Sequence, residues 1–277
     1  MNKSLTSNWP FLKMHGLGND FVILDWRKAA LDLPAILITG LADRHRGVGF
    51  DQLAVIESGT GDAHLRFFNA DGSVSEACGN ATRCIARYLM DELEKSSLHL
   101  TTDRGALRAE TSPDGSVAIN MGQPLLTWQD IPLSEAMETL VLPIKGDPSA
   151  TGMGNPHCTF FVPDIAAINL EADAAPIEHH PLFPERTNVQ FAQVIGKDHI
   201  RMRVWERGVG VTLASGSSSC ATAVAAARRG LTGRSVKIDV DGGSLQIDWR
   251  EDGVWLTGPT MHVFSGHLTT QFLDSLR

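Results

Sequence analysis

The tripeptide Ala77-Cys78-Gly79 returns as Ala214-Ser215-Gly216, 137 positions later in a chain of 277 residues. The register holds without a gap on both sides. Arg66 aligns with Arg203, Phe68 with Trp205 and Ala86 with Ala223. A second motif repeats at almost the same offset: Gly18-Asn19 returns as Gly154-Asn155, 136 positions on, and each copy leads into an apolar run. Two motifs at one offset, half a chain long, indicate a tandem pair of like domains, not a solenoid. Whatever one half folds into, the other must fold into as well. The chemically loud difference between the copies is a thiol at Cys78 against a hydroxyl at Ser215.

Length suits two domains of ordinary size. Apolar residues make up 43% and charged residues 20%, a globular composition. A net charge of −8 argues against nucleic acid or an anionic membrane as partner, since both need a basic face. No apolar run approaches the ~20 residues of a membrane span. The start, MNKSLTSNWP, is polar and lacks the apolar core of a secretory signal, and residues 1–8 read as a frayed lead-in; the sparse cysteines make a reducing cytoplasm the simplest home. The four cysteines, Cys78, Cys84, Cys158 and Cys220, are too sparse for a disulfide scaffold, and their spacings of six, 74 and 62 match no zinc pattern. No metal is expected.

Strand-like runs dominate each half. In the first they fall at 21–24, 52–57, 64–68, 98–102, 107–111 and 117–121; in the second at 159–162, 189–195, 200–205, 236–240, 245–249 and 254–258. One longer helix stands out per half. Residues 80–94 carry Ile85, Leu89 and Leu93 at helical spacing, and 218–229 is a run of small residues ending in Arg228, Arg229 and a C′ glycine, Gly230. The proline-marked stretch 124–143 reads as the connection. These signals predict an α/β (α+β) chain of two pseudo-symmetric domains, 9–126 and 127–261, with 262–277 packing back on the first.

Each Ala-x-Gly precedes a helix. A residue there meets unpaired backbone N–H groups and the positive end of the helix dipole, which favour a thiolate and bind a carboxylate. Two such helix starts around one α-carbon suit inversion of a stereocentre: one group takes the α-proton, the opposite one returns a proton, and N–H donors stabilise the enolate-like carboxylate. On its own, a cysteine before a glycine at a helix start is more often a small buried residue than a base. The neighbourhood raises the odds. Asn69, Asp71, Glu76 and Asn80 crowd Cys78, and Glu206, Arg207 and Ser217 to Ser219 crowd Ser215. Such strand ends build a poor core and a good zwitterion site. Cys84, Cys158 and Cys220 read as packing residues.

The segments KMHGLGNDFVILD, GFDQLAVI, FFNADGSVSEACGNATRC, MGNPHCTFF, ERTNVQFAQV and VWERGVGVTLASGSSSCATAVAAARRG resemble, in order, the signature segments of the diaminopimelate epimerase family. The resemblance covers the chain from Phe11 to Gly258. It implies two similar domains, each a β-barrel-like sheet around a central helix, with the site in the cleft between them. It implies a homodimeric, PLP-independent isomerase that needs no cofactor and interconverts LL- and meso-diaminopimelate for lysine and cell-wall synthesis. Carried over by position, Cys78 matches the first catalytic cysteine and Ser215 stands where the second belongs. The amides of Gly79, Asn80, Gly216 and Ser217 would hold the reacting carboxylate, and Asn19 and Gln52 the reacting amino group. Asn69, Asn155, Asn188, Glu206 and Arg207 would read the distal end, where Arg207 can grip a carboxylate bidentately. His157 and Glu206 would tune the two acid/base groups. Taken alone, His157 reads nearly as well as a structural histidine.

Two positions depart from the family pattern. Val211 stands where a glutamate is usual, which removes a polar contact from distal-end reading. Ser215 is the larger departure, because an alcohol is a far weaker acid than a thiol of pKa about 8.5. Little epimerase activity is expected of the chain as written. An engineered substitution, a degraded natural variant and a different reaction each account for a serine there. The intact diaminopimelate-reading positions favour the first. The other reactions to weigh are a one-base dehydratase or lyase that uses Cys78 alone, and a racemase for another amino acid.

Overall fold

The computed structural model describes residues 9–28, 33–75, 78–112 and 114–276. The lead-in assigned to 1–8 lies outside them, as do Glu76 and Ala77 beside Cys78. The chain divides into two units, Met1–Val117 with Pro259–Arg277, and Ala118–Gly258.

In the first unit the order is β1 (Trp9–Gly16), β2 (Asn19–Asp25), α1 (Ala35–Ala42), β3 (Gln52–Glu57), β4 (Ala63–Asn69), β5 (Val74–Ser75), α2 (Gly79–Leu93), β6 (Ser97–Thr102) and β7 (Gly105–Thr111). Strand β8 (Val117–Asn120) follows, with all but its first residue in the second unit. That unit continues with β9 (Ser149–Gly152), β10 (Pro156–Phe161), α3 (Leu170–Glu178), β11 (Asn188–Gly196), β12 (His199–Glu206), β13 (Gly210–Thr212), α4 (Gly216–Arg228), β14 (Ser235–Val240), β15 (Gly243–Arg250) and β16 (Gly253–Gly258). The chain then returns to the first unit as β17 (Met261–Leu268) and α5 (Thr270–Ser275).

The strand pairings of the two units repeat. Strands β1 and β2 are antiparallel, β2 and β3 parallel, β3 and β4 antiparallel, β4 and β6 parallel, β6 and β7 antiparallel. The same sequence runs β9–β10, β10–β11, β11–β12, β12–β14, β14–β15. The register repeats too. Phe21 sits opposite Gln52, and His157 sits opposite Asn188, each residue 136 positions beyond its counterpart. Strand β17 pairs antiparallel with β1 from Trp9↔Leu268 to His15↔Met261.

The run Phe21-Val22-Ile23-Leu24 is fully buried along its length because the sheet is covered on both faces. Val22 and Leu24 join Leu53, Val55 and Phe68 in a core with Leu37, Ile38 and Leu41 of α1 and Leu273 of α5. By the two-residue period of a strand, Phe21 and Ile23 point to the other face, against which α2 packs. In the second unit Cys158, Phe160, Val189 and Phe191 join Leu170 and Ala174 of α3 in the corresponding outer core. Helix α4 packs against β9, β10, β11, β14, β15 and β16. Six elements can surround one helix only if its side chains are short, and Ser218 to Ala226 are all buried, none longer than valine. The helix ends where Gly230 takes φ +69°, the left-handed cap for which a Cβ is a handicap. Cys84, Cys158 and Cys220 are fully buried, and burial pushes the Cys84 thiol up to about 12.

The strands and two long helices match the sequence expectation in place, with ends displaced by up to three residues. Strands β1, β5, β9, β13 and β17 and helices α1, α3 and α5 are additional. No helix of the described residues is long and apolar enough to cross a membrane. Around α4, Ala225→Leu should cost about 1–3 kcal/mol through overpacking. The check is a lower urea midpoint at unchanged slope, and an unchanged midpoint would contradict this packing.

Candidate functional site

Both Gly-Asn motifs turn the chain through a left-handed glycine, in a two-residue loop between Gly16 and Asn19 and in a three-residue loop between Gly152 and Pro156. Gly18 (φ +87°) and Gly154 (φ +81°) adopt the left-handed conformation that glycine tolerates. Each turn places its asparagine at the edge of a strand, Asn19 at the start of β2 and Asn155 just before β10. Gln52 opens β3 and Asn69 closes β4 opposite it. Asn188 opens β11 and Glu206 closes β12. The polar residues therefore gather at strand ends for a topological reason: parallel β2–β3 and β10–β11 start together, and the following antiparallel strand finishes beside them.

Within each unit the helix start lies beside such strand ends. Cys78 is the N-cap of α2, in extended conformation, and its sulfur accepts the N–H of Ala81 at 3.5 Å. Its Sγ lies 4.0 Å from Asn19 Oδ1, which also accepts Asn80 Nδ2 at 3.2 Å. The Cys78 carbonyl accepts the N–H of Thr82 at 2.9 Å. The amides of Gly79 and Asn80 lie in the first turn, where N–H groups have no partner inside the helix. Gln52 donates to Asn69 Oδ1 at 3.0 Å and to Ser75 Oγ at 3.3 Å. Asp71 turns to Ser73, accepting its N–H and its hydroxyl.

Ser215 is the N-cap of α4 in the second unit. It makes no side-chain cap bond; its hydroxyl donates to Glu206 Oε2 at 2.9 Å. Thr212 donates to Glu206 Oε1 at 2.6 Å. Burial is the largest influence on the Glu206 carboxyl and raises its pKa, and the two hydroxyl donors offset it only in part. Asn188 donates to the Pro156 carbonyl at 2.9 Å and accepts the Arg207 N–H at 3.0 Å. The Arg207 guanidinium is tied to the Glu185 carbonyl at 2.9 Å. Gly216 and Ser217 open α4, and a Cβ at Gly216 would stand 3.0 Å from Leu256. Val211 is exposed on β13.

His157 is fully buried, with Nε2 2.8 Å from Asn155 Oδ1 and Nδ1 3.1 Å from Gln190 Nε2 and 3.4 Å from Ser218 Oγ. Gln190 donates to Ser218 at 3.0 Å and accepts from Thr159 at 3.1 Å. The counterparts in the first unit, 136 or 137 positions earlier, are Phe21, Ala54, Ala81 and Ile23. A polar chain has thus replaced an apolar core in one copy only. Gln190 and Thr212 were not singled out in the sequence. The signal for Gln190 is a buried polar residue inside the apolar run Val189–Ala192.

The structure therefore joins Asn19, Cys78 and Asn80 at one helix start, pairs Gln52 with Asn69, and groups Glu206 with Ser215, Asn188 with Arg207, and Asn155 with His157. A separate open cavity of about 360 Å³ lies farther along α2, beside Asp25, Arg27, Tyr88 and Glu92. Within it Arg27 pairs with Asp25 and Glu92, and Tyr88 donates to Asp25.

Glu206 has a pH signature. Its folded pKa lies above its ordinary 4.5, so between the two values the native state holds a proton that the unfolded chain has released. Stability from this group is full below 4.5 and is lost as pH rises through the folded value. Glu206→Gln should therefore gain stability relative to the parent as pH rises above 4.5, read from urea unfolding at several pH values. A difference that does not change with pH would contradict the buried carboxyl.

The description "Diaminopimelate epimerase" belongs to the family model that matches residues 11–127 and 149–263. A diaminopimelate epimerase of Rhodospirillum centenum is 50% identical over 271 residues, covering 95% of this chain and 93% of that protein. One from Phenylobacterium zucineum is 47% identical over 269 residues, covering 94% and 97%. Among solved structures, a PhzF-family phenazine biosynthesis protein of Bacillus anthracis superposes with a TM-score of 0.68 at 15% identity, covering 95% of this chain and 99% of that one. A hydroxyproline epimerase from Agrobacterium vitis gives 0.64 at 14%, covering 96% and 94%. At those identities the likeness is one of fold. The repeated pairings, the two capped helix starts and the sequence relatives agree, and the chain belongs to the diaminopimelate epimerase family.

Proposed function

We propose that this protein is a cofactor-independent isomerase that interconverts LL- and meso-diaminopimelate by a two-base route, with its rate held down by Ser215. The observation that carries this reading is the pair of equivalent helix N-caps, Cys78 and Ser215, one in each repeat. The reaction needs one of them on each face of the substrate α-carbon. Cys78 as thiolate removes the α-proton from one face. The group at 215 returns a proton to the other face, and the roles reverse for the opposite stereoisomer. The first-turn amides of Gly79, Asn80, Gly216 and Ser217 hold the carboxylate whose charge grows as the α-proton leaves.

Asn19 and Gln52 hold the reacting amino group, and Asn69, Asn155, Asn188, Glu206 and Arg207 read the distal end. Glu206 accepts a hydrogen bond from the Ser215 hydroxyl and supports proton transfer there, and with His157 it tunes the acid/base groups. The hydroxyl is the weak member, since its proton is far harder to remove than that of a thiol. The reaction supplies lysine and cell-wall precursors in the cytoplasm. The working form is a homodimer. Met261, Val263 and Phe264 lie exposed along one strand and supply an apolar face for a second copy.

Ser215→Cys should raise turnover on diaminopimelate by roughly 10²- to 10⁴-fold, the usual worth of a positioned acid/base. No gain would contradict the two-base reading, and loss of water from a β-hydroxy amino acid by the parent would favour a one-base lyase. Phe264→Asp should shift the protein from dimer to monomer in sedimentation. A parent that sediments as a monomer would contradict the homodimer.

A further inference from the structure

Asn19 and Asn155 are equivalent by repeat, yet they are held by different chains. Asn155 is held through His157 and Gln190, groups that can each donate or accept, so that chain can run in either sense. The chain around Asn19 cannot. Arg83, fully buried on α2, donates from Nη2 to Asn80 Oδ1 at 2.8 Å. Asn80 donates from Nδ2 to Asn19 Oδ1 at 3.2 Å, and Asn19 donates from Nδ2 to Asp51 Oδ2 at 2.9 Å. A guanidinium only donates and a carboxylate only accepts. The two ends therefore fix the sense of every bond between them.

We propose that Arg83 and Asp51 are positioning residues that set the amide orientation of Asn19, so that its oxygen and not its nitrogen faces Cys78. This rests in part on the functional reading above, in which Asn19 holds the substrate ammonium. With Oδ1 turned to the site, Asn19 accepts the Cys78 thiol proton at rest and an ammonium N–H when substrate is bound. Reversed, the same side chain would present an N–H to a cation.

The surroundings hold both ends. Asp51 also accepts the Asp20 N–H at 3.1 Å and pairs with Arg44 at 2.8 Å. Arg44 and Lys13 both pair with Asp20 and pull its carboxyl down to about 2, against the burial that acts on it most. At the other end, Gly16 leaves room for the guanidinium, since a Cβ there would stand 3.1 Å from Arg83 Nη2. The counterparts of Asp51, Asn80 and Arg83 in the second repeat are Thr187, Ser217 and Cys220, so this chain is peculiar to the thiol-bearing half.

A neutron structure of the deuterium-exchanged protein tests the orientation without reference to substrate. Deuterons on Asn19 Nδ2 directed at Asp51, and on Asn80 Nδ2 directed at Asn19, are expected; either amide reversed overturns the proposal. Calorimetric titration of meso-diaminopimelate tests the consequence. Asp51→Asn removes the fixed sense with little change in size, Arg83→Gln removes it with a shorter side chain, and each should weaken binding about tenfold or more, the worth of one hydrogen bond to a charged group. Arg83→Lys, which still only donates, should bind more tightly than Arg83→Gln. Equal binding by Asp51→Asn and the parent overturns the positioning role. A parent that does not bind diaminopimelate refutes the functional reading instead, and the neutron result then decides the amide orientation.

Discussion

The start of a helix at the end of a sheet is the constraint on which the rest of this molecule depends. First-turn amides cannot bond within their own helix, and they must be met by a cap, a side chain or a ligand. Helix α2 meets part of that need with Cys78, whose sulfur accepts the Ala81 N–H, whereas Ser215, the N-cap of α4 in the same extended conformation, makes no such bond and turns its hydroxyl to Glu206. Around each cap the strand order places amide and carboxyl side chains at neighbouring ends. On the proposed reading, the same fold feature supplies an anion-binding group, a proton-transfer atom and a ring of zwitterion-reading side chains.

The repeat is strict in backbone and loose in chemistry. Pairing order recurs throughout and the parallel register of the central strands recurs with it, while the face under the central helix is apolar in the first unit and hydrogen-bonded in the second. Phe21, Ile23 and Ala54 are simple packing residues; His157, Thr159 and Gln190 in the same places form a buried polar chain. Such a chain is stable only if each member is satisfied, and these three satisfy one another with Ser218 and Asn155. The asymmetry suits two proton-transfer groups that need different support.

Much of this was readable in the residues. Strand β3 coincides with the expected 52–57, because its apolar run has clear polar ends. The start of α2 was legible from Ile85, Leu89 and Leu93, and the end of α4 from Gly230. Strand β1 was not legible: Pro10 and Lys13 interrupt it, and Lys13 is buried only because Asp20 and the Gly49 carbonyl meet its ammonium. Helix α1 hides behind Gly40, and α3 contains Pro176. Asp51 and Arg83 look like ordinary charges in sequence, since a role set by the direction of hydrogen bonds emerges only when four side chains meet in space.

The central claim is that two different proton-transfer groups occupy two equivalent caps. Incubation of the parent chain with each diaminopimelate stereoisomer in deuterated water tests it most directly. A thiolate at Cys78 and a reluctant hydroxyl at Ser215 predict slow deuterium incorporation at the α-carbon of one stereoisomer, with little inversion. Equal exchange of both stereoisomers, or exchange of neither with a bound substrate, would contradict the account.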